Sequence, residues 1–420
     1  WTQTPPAGHK AITTTEIAAA TTRTKSDLSE YFESILYEGD GFGQTVGRHL
    51  PFTNAFTVGN SALFNGTNNS LSRTQVAGTS AGEVWTFSAW IKKCESKNTV
   101  YVNWSDDSAQ GQLGFDASGQ FYLYDGSTLV GLTSKDFADE SQWNHYHVAY
   151  NTGESGTDKV KLTINGVLET NWATDNRASA DAFQGVGINN EPMIIGNNAS
   201  AGGDAISLNG YMAQVVFLDG TASAASNFGQ LDTSTNRWIP SDLSSFSFGS
   251  GNNTVFLDFA DSDALGDDES GQGHDFTNNN TVVQTADSPT TNFGTLLHNQ
   301  TNTTEILTNG NRSGRGGAAN EYWILPSGLR MTTEKIFVAC RMDDGADGSS
   351  QVNVSFGCQP PNANINGASV SPPTDSYAFV DRQGGDFRVY NNAYDDAPGS
   401  LLRENHTISA ADTDVITMAV

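Results

Sequence analysis

The chain has 420 residues, enough for two or three domains with substantial cores. Its 21 Lys and Arg stand against 47 Asp and Glu, and 21 − 47 gives a formal net charge of −26, so no basic face is expected for a nucleic-acid backbone. Charged residues make up only 16% while Gly numbers 43, a composition that favours an extracellular or particle-borne β-protein over a cytosolic metabolic enzyme.

The chain opens on Trp1 without a Met, a basic stretch or an apolar leader after it, and is read as a fragment or processed product. No run approaches the roughly 18 consecutive apolar residues of a membrane span, so membrane insertion is not expected. Over 26–37, Leu28, Tyr31, Phe32, Ile35 and Leu36 fall at helical spacing behind Asp27 and Glu30, which are arranged like a capping box. From about 55 to 280 the pattern changes to short β-branched and aromatic runs separated by Gly, Asn and Asp. They lie at 62–64, 85–92, 99–104, 112–116, 120–124, 129–133, 145–151, 159–164, 193–195, 211–218 and 254–259. Ser118-Gly119 and Asp125-Gly126 sit between runs, and Asn165-Gly166 suits a type I′ turn. Such spacing predicts two packed antiparallel sheets, with Trp85, Phe87, Val148, Ile164, Ile195, Met212 and Val215 in the core by alternation.

From 281 to 320 the chain is rich in Asn, Thr, Ser and Gly and reads as a linker, with an edge strand at 305–307 as the exception. Periodicity returns at 322–325, 334–341, 351–356, 376–380, 387–390 and 414–420. The last run stops without a turn residue, so this second β-sandwich is expected to be incomplete, its open edges packed on other chains or on a longer version of this one. Cys94, Cys340 and Cys358 show neither CxxC spacing nor a Cys/His cluster, and free thiols are expected. A hairpin of 334–341 on 351–356 would set Cys340 opposite about Asn353 and Cys358 opposite about Lys335, out of disulfide reach.

Several strings stand in a telling order: Ala62-Leu63-Phe64-Asn65-Gly66, Trp85-Thr86-Phe87-Ser88-Ala89-Trp90-Ile91-Lys92, Trp143-Asn144-His145-Tyr146-His147-Val148, Leu162-Thr163-Ile164-Asn165-Gly166-Val167, Leu208-Asn209-Gly210-Tyr211-Met212-Ala213 and Asp268-Glu269-Ser270-Gly271. That order resembles laminin-G-like, concanavalin-A-like jelly rolls, above all those of tail-fibre and other virion proteins of marine bacteriophages. Tyr322-Trp323-Ile324-Leu325 with Lys335-Ile336-Phe337-Val338 resembles the start of a SPRY-like module, and residues 1–11 resemble the closing strand of a preceding one. On that resemblance Tyr31-Phe32 with Leu36-Tyr37-Glu38-Gly39 is a strand, in competition with the helix above.

The resemblance implies an all-β chain: an antiparallel two-sheet jelly-roll sandwich plus a second, truncated β-sandwich. Its divisions are 1–50 as the end of a SPRY-like module with a connector, 51–285 as the jelly roll, 286–320 as linker and 321–420 as an incomplete SPRY-like sandwich. It further implies a non-enzymatic virion structural protein, a tail-fibre or appendage component acting as adhesin or spacer with glycan binding. The expected location is the virion, otherwise extracellular. Expected partners are other virion or appendage subunits and host cell-surface glycans, in a homo-oligomer taken as a trimer. A bacterial extracellular adhesin, or the non-catalytic part of a polysaccharide-degrading enzyme, are the alternatives.

The residues bear on chemistry in three places. The paired carboxylates of a jelly-roll glucanase are not found, since the run at 211–218 holds no acid before Asp219. His145 and His147 share a strand face without a partner carboxylate in sequence, and packed strand histidines are the expectation. Sugar recognition needs an aromatic face beside hydroxyl-bonding groups; Trp104 with Asp106, and Trp172 with Asp175, meet that need at run ends, against core, rim or intersubunit packing as the alternatives. No cofactor is required; Ca²⁺ is the one considered, on Asp258, Asp261, Asp263, Asp267 and Asp268. The stretch is not an EF-hand, and an acidic turn held by Asx hydrogen bonds is the competing reading.

Overall fold

A computed structural model of the chain describes residues 56–105, 110–198, 206–233, 236–296 and 305–316, and beyond these the backbone of six further strands. The expectations for residues 1–50, including the helix or strand at 26–37, and for Asp106 lie outside the described residues.

The first sheet contains β1 (Ser61–Asn65), β3 (Val84–Lys93), β8 (Asn144–Asn151), β9 (Val160–Ile164), β10 (Val167–Leu168), β13 (Asn209–Asp219), β16 (Val255–Leu257) and β18 (Val283–Thr285). Their order is β10-β9-β8-β3-β13-β1-β18, with β16 also on β13. The second contains β2 (Ser70–Thr74), β4 (Thr99–Ser105), β5 (Gln110–Phe115), β6 (Gln120–Asp125), β7 (Thr128–Asp136), β11 (Trp172–Asp175), β12 (Pro192–Ile195) and β17 (Thr277–Asn279), in the order β11-β7-β6-β5-β4-β12-β2-β17. Both sheets are antiparallel throughout, and the chain forms the all-β jelly-roll sandwich that its strand pattern predicts.

Alternation fills the space between the sheets. Trp85, Phe87, Val148, Ile164, Ile195, Met212 and Val215 all lie in one buried cluster. Trp85 stacks on Tyr150 with ring centroids 4.9 Å apart and leans on Trp104 at 5.4 Å. Each such ring removes a large apolar area from water, at about 25 cal/mol per Å², and the offset ring geometry adds to it. On β13 the alternation is interrupted: its register on β3 shifts between Ala213 and Val216, and Gln214 takes a φ of +44°. This bulge lets β13 carry β1 along its first half and β16 along its second.

The outer face of the first sheet is covered as well. Trp90, Cys94, Trp143 and Tyr211 form a second buried cluster, and Val216, Leu218, Phe228 and Phe248 a third, under the hairpin β14 (Gly229–Asp232) and β15 (Arg237–Pro240) and the segments around it. With both faces covered, every residue of β3 after Val84 is buried, the polar Thr86, Ser88, Lys92 and Lys93 included. Residues 286–296, whose polarity suggests a linker, belong to this cover: Asp287 and Ser288 are fully buried, and Ser61 Oγ donates to Asp287 O at 2.6 Å. Polar side chains can lie inside because each finds a partner there. The edge strand expected at 305–307 is β19 (Glu305–Thr308), paired with β20 (Ser313–Gly316) rather than with either large sheet.

Further on, β21 (Phe337–Arg341) pairs with β26 (Val415–Ala419), while β22 (Val354–Cys358), β23 (Ala378–Gln383), β24 (Asp386–Asn391) and β25 (Leu401–His406) form a separate sheet. The expected hairpin of 334–341 on 351–356 is therefore corrected: Cys340 stands opposite Ile416 and Cys358 opposite Ala378. The 342–353 connection is longer than the roughly two to five residues that fix a tight hairpin, so nothing local ties those strands together. Cys94 is a free, buried thiol, and burial raises its pKa.

Candidate functional site

Trp104 is fully buried between the sheets, 5.3 Å from Phe217 and 6.0 Å from Phe183 by ring centroids, and offers no face to a sugar. Asn103 and Ser105, its polar neighbours on β4, occupy the other side of the strand, because successive side chains on a strand point to opposite faces. Trp172 is half-buried at the edge of the core and packs on Gly131, where an added Cβ would fall 2.5 Å from the indole. The Arg177 guanidinium sits 4.4 Å from the Trp172 ring centroid. Asp175 grips it bidentately, Nε to Oδ1 and Nη2 to Oδ2 both at 2.8 Å, and this hydrogen bonding holds the Asp175 carboxyl below its usual pKa. Arg177 Nη1 donates to Val160 O at 3.1 Å, tying β9 of the first sheet to the β11 edge of the second. Trp172, Asp175 and Arg177 thus form a closed plug in the sandwich edge.

The acidic stretch resolves into local turns. Asp258 Oδ1 accepts the Ala260 N–H at 2.8 Å and Asp261 Oδ1 the Asp263 N–H at 2.9 Å. Asp268 accepts from the N–H groups of Phe256, Ser270 and His274 and from the Ser270 hydroxyl, at 2.9 to 3.0 Å. Asp263 and Asp267 are exposed. Among the described residues no three His, Cys, Asp or Glu side chains converge on a metal position. Hydrogen bonds to the backbone thus occupy the Asp258, Asp261 and Asp268 carboxylates.

Two serines invite a nucleophile reading and neither supports it. His145 Nδ1 lies 3.0 Å from Trp238 Nε1, and an indole can only donate; the histidine proton is therefore on Nε2, which donates to Ser88 Oγ at 2.8 Å. In that tautomer His145 cannot take the serine proton. Burial pushes its pKa well down, and that of His147 to about 4. Gly78-Thr79-Ser80-Ala81-Gly82 has the Gly-x-Ser-x-Gly form, but Ser80 Oγ is committed to the backbone of Val84, donating to its O at 2.6 Å and accepting its N–H at 3.1 Å.

The second sheet presents what the sequence reading missed. Its outward positions run in one cross-strand row, Ile194 on β12, Asn103 on β4, Gln112 on β5, Tyr124 on β6 and Leu129 on β7, each directly opposite the next. Tyr124 is 37% exposed, and its ring lies edge-on to that of Tyr122 at 5.3 Å. Gln112 Nε2 donates to Gln110 Oε1 at 2.7 Å, and both residues are half-buried. Asn103 is fully buried; its Nδ2 donates to Asn198 O at 3.0 Å, and its buried Oδ1 has no hydrogen-bond partner. An exposed phenol ring beside the half-buried Gln110 and Gln112 amides is a combination that can stack on a pyranose and bond its hydroxyls, whereas Asn103 is fully buried. Alternation within 120–124 carried this signal, since Tyr122 and Tyr124 fall on the face opposite Phe121 and Leu123.

No protein-family model and no curated protein sequence matches the chain. Among solved structures it is similar to a heptameric SAP-like pentraxin from Limulus polyphemus, at 12% identity over 40% of this chain and 80% of that one, with a TM-score of 0.31. Domains LG4-5 of the mouse laminin alpha1 chain match at 11% identity over 49% of this chain and 48% of that one, TM-score 0.27. The CBM40 of a Ruminococcus gnavus IT-sialidase, bound to alpha2,3 sialyllactose, matches at 13% identity over 35% of this chain and 87% of that one, TM-score 0.25. At such scores the assignment to two-sheet jelly-roll sandwiches rests on the strand pairings of the chain itself.

Proposed function

We propose that this chain is a non-enzymatic glycan-binding module of an extracellular appendage, acting as adhesin or spacer, and that the appendage is a bacteriophage tail fibre or a related virion structure. The observation that carries the binding reading is the exposed Tyr124 ring directly opposite the half-buried Gln112 on the outward face of the second sheet. The virion reading is supported by the resemblance of the strand strings and by a composition poor in charged residues. A shallow face of this kind gives weak single contacts, so useful adhesion requires several copies on one particle, consistent with a homo-oligomer such as a trimer. Calcium plays no part in this proposal.

The test is retention on immobilised bacterial and algal polysaccharides in affinity electrophoresis. Wild type is expected to be retarded by at least one glycan. Tyr124→Ala should lose that retardation with an unchanged melting midpoint, because the ring is exposed; equal retardation of the variant on every glycan refutes the site. Immunogold labelling of particles from a culture that expresses the gene tests the virion assignment separately.

A further inference from the structure

On the covered face of the first sheet, Lys92 has its amine fully buried. Its Nζ stands 2.9 Å from Asp287 Oδ2, 2.9 Å from Asn292 Oδ1 and 2.7 Å from Phe293 O. The same face carries the buried cluster of Trp90, Trp143, Tyr211, Leu63, Val58, Cys94 and Ala213. A buried ammonium–carboxylate pair gains little over its desolvation cost, and the 2.9 Å contact places Asp287 Oδ2 for transfer of the proton from Lys92. The same transfer turns Lys92 into an amine nucleophile. Directly beside it lies a carboxamide, fixed by donation from Asn292 Nδ2 to Ser141 O at 3.2 Å.

We infer that Lys92 and Asn292 become joined by an intramolecular amide bond, formed by the folded chain itself with Asp287 carrying the proton. Lys92 Nζ gives a proton to Asp287 Oδ2 and its lone pair attacks Asn292 Cγ. Asp287 returns a proton to the amide nitrogen as the tetrahedral centre collapses. The Nζ–Cγ bond forms, the Cγ–Nδ2 bond breaks, one ammonia leaves, and the last surplus proton on Nζ passes to Asp287, which ends as the neutral acid beside the neutral amide. No oxidant, cofactor or activated group is consumed.

Three features favour this step. Holding amine and carbonyl together for the life of the fold is worth effective molarities of about 10⁵–10⁸ M in well-oriented systems. The pocket excludes the bulk water that would otherwise compete for the carbonyl. Asp287 Oδ1 accepts from Trp143 Nε1 at 2.9 Å and from the Phe293 N–H at 3.2 Å, which orients Oδ2 toward Lys92 and favours the carboxylate as base over Asp287 as electrophile. The bond would tie β3 to the covering segment 286–296 across 200 residues of sequence, so that the cover cannot peel away under load.

Intact-mass measurement on the denatured full chain tests this. The expected mass lies below that of the sequence by one ammonia, with a digest peptide pair linked through Lys92 and Asn292. Lys92→Arg and Asp287→Asn should each have their own sequence mass and run more slowly than wild type on a denaturing gel, where the cross-linked loop keeps the wild-type chain compact. The wild-type mass decides even if a variant fails to fold. A wild-type chain at its sequence mass overturns the inference. So does loss of water, which would mark Asp287 as the acceptor, or loss of ammonia without the linked peptide pair, which would mark a succinimide at an Asn-Gly step such as Asn309-Gly310.

Discussion

Acid should weaken the sandwich through buried histidines, and His147 is the one whose share can be worked out. His147 is 2% exposed, with its ring 5.6 Å from that of Phe228; Nε2 donates to Ser223 O at 3.0 Å and Nδ1 has no partner. Burial lowers its pKa from 6.5 to about 4, because a second proton would sit on Nδ1 away from water. Between those values the unfolded chain binds a proton that the folded chain refuses. The contribution of His147 is therefore fully present above pH 6.5 and is lost as pH falls toward about 4. The difference, 6.5 − 4, at about 1.4 kcal/mol per unit, comes to about 3 kcal/mol. His145, also pushed down by burial and by its neighbour His147, acts in the same direction. Urea unfolding followed by tryptophan fluorescence from pH 7.5 to 4 reads the effect, with His147→Gln as reference. Glutamine can keep the donation to Ser223 but does not titrate, so the stability of the variant should fall less by about 3 kcal/mol over that range. Parallel pH profiles for the two proteins would refute the argument.

Other perturbations follow from the same geometry. Trp104→Ala should cost about 3–5 kcal/mol in urea unfolding, as the loss of a core ring does, and a change near zero would mean that the ring is not between the sheets. Asp268→Asn removes one of the two carboxylate oxygens that accept four hydrogen bonds and should cost about 2–3 kcal/mol, whereas Asp267→Asn at an exposed position should leave the midpoint unchanged. Chelator should not move the wild-type melting midpoint, since no three acidic side chains among those described converge; a drop would restore calcium to the acidic stretch. Arg177→Leu should cost about 2 kcal/mol through its ring contact and the bidentate pair, with more rapid proteolysis at the β9 and β11 edge as the independent sign.

The position of the strands was legible in the residues because alternation of apolar and polar side chains is local. The runs at 85–92, 145–151 and 211–218 are β3, β8 and β13, and their inward side chains form the core that alternation picks out. Short strands such as β2 and β17 were not legible: Ser70–Thr74 and Thr277–Asn279 carry almost no apolar side chains and are strands because neighbouring backbones pair with them. Alternation also marks two faces without saying which one the fold will cover. Hence Trp104 goes into the core and Tyr124 faces solvent, although both are aromatic residues near strand ends. Composition misled over 286–296 for a related reason, since a polar segment reads as linker until Lys92, Trp143 and Ser61, all distant in sequence, supply its hydrogen bonds. Strand choice beyond a tight turn is likewise tertiary: nothing near Phe337–Arg341 names Val415–Ala419 as its partner. Local sequence sets periodicity and turn chemistry, while pairing, burial and the meeting of Lys92 with Asn292 depend on contacts between segments far apart in the chain, which only the closed sandwich creates.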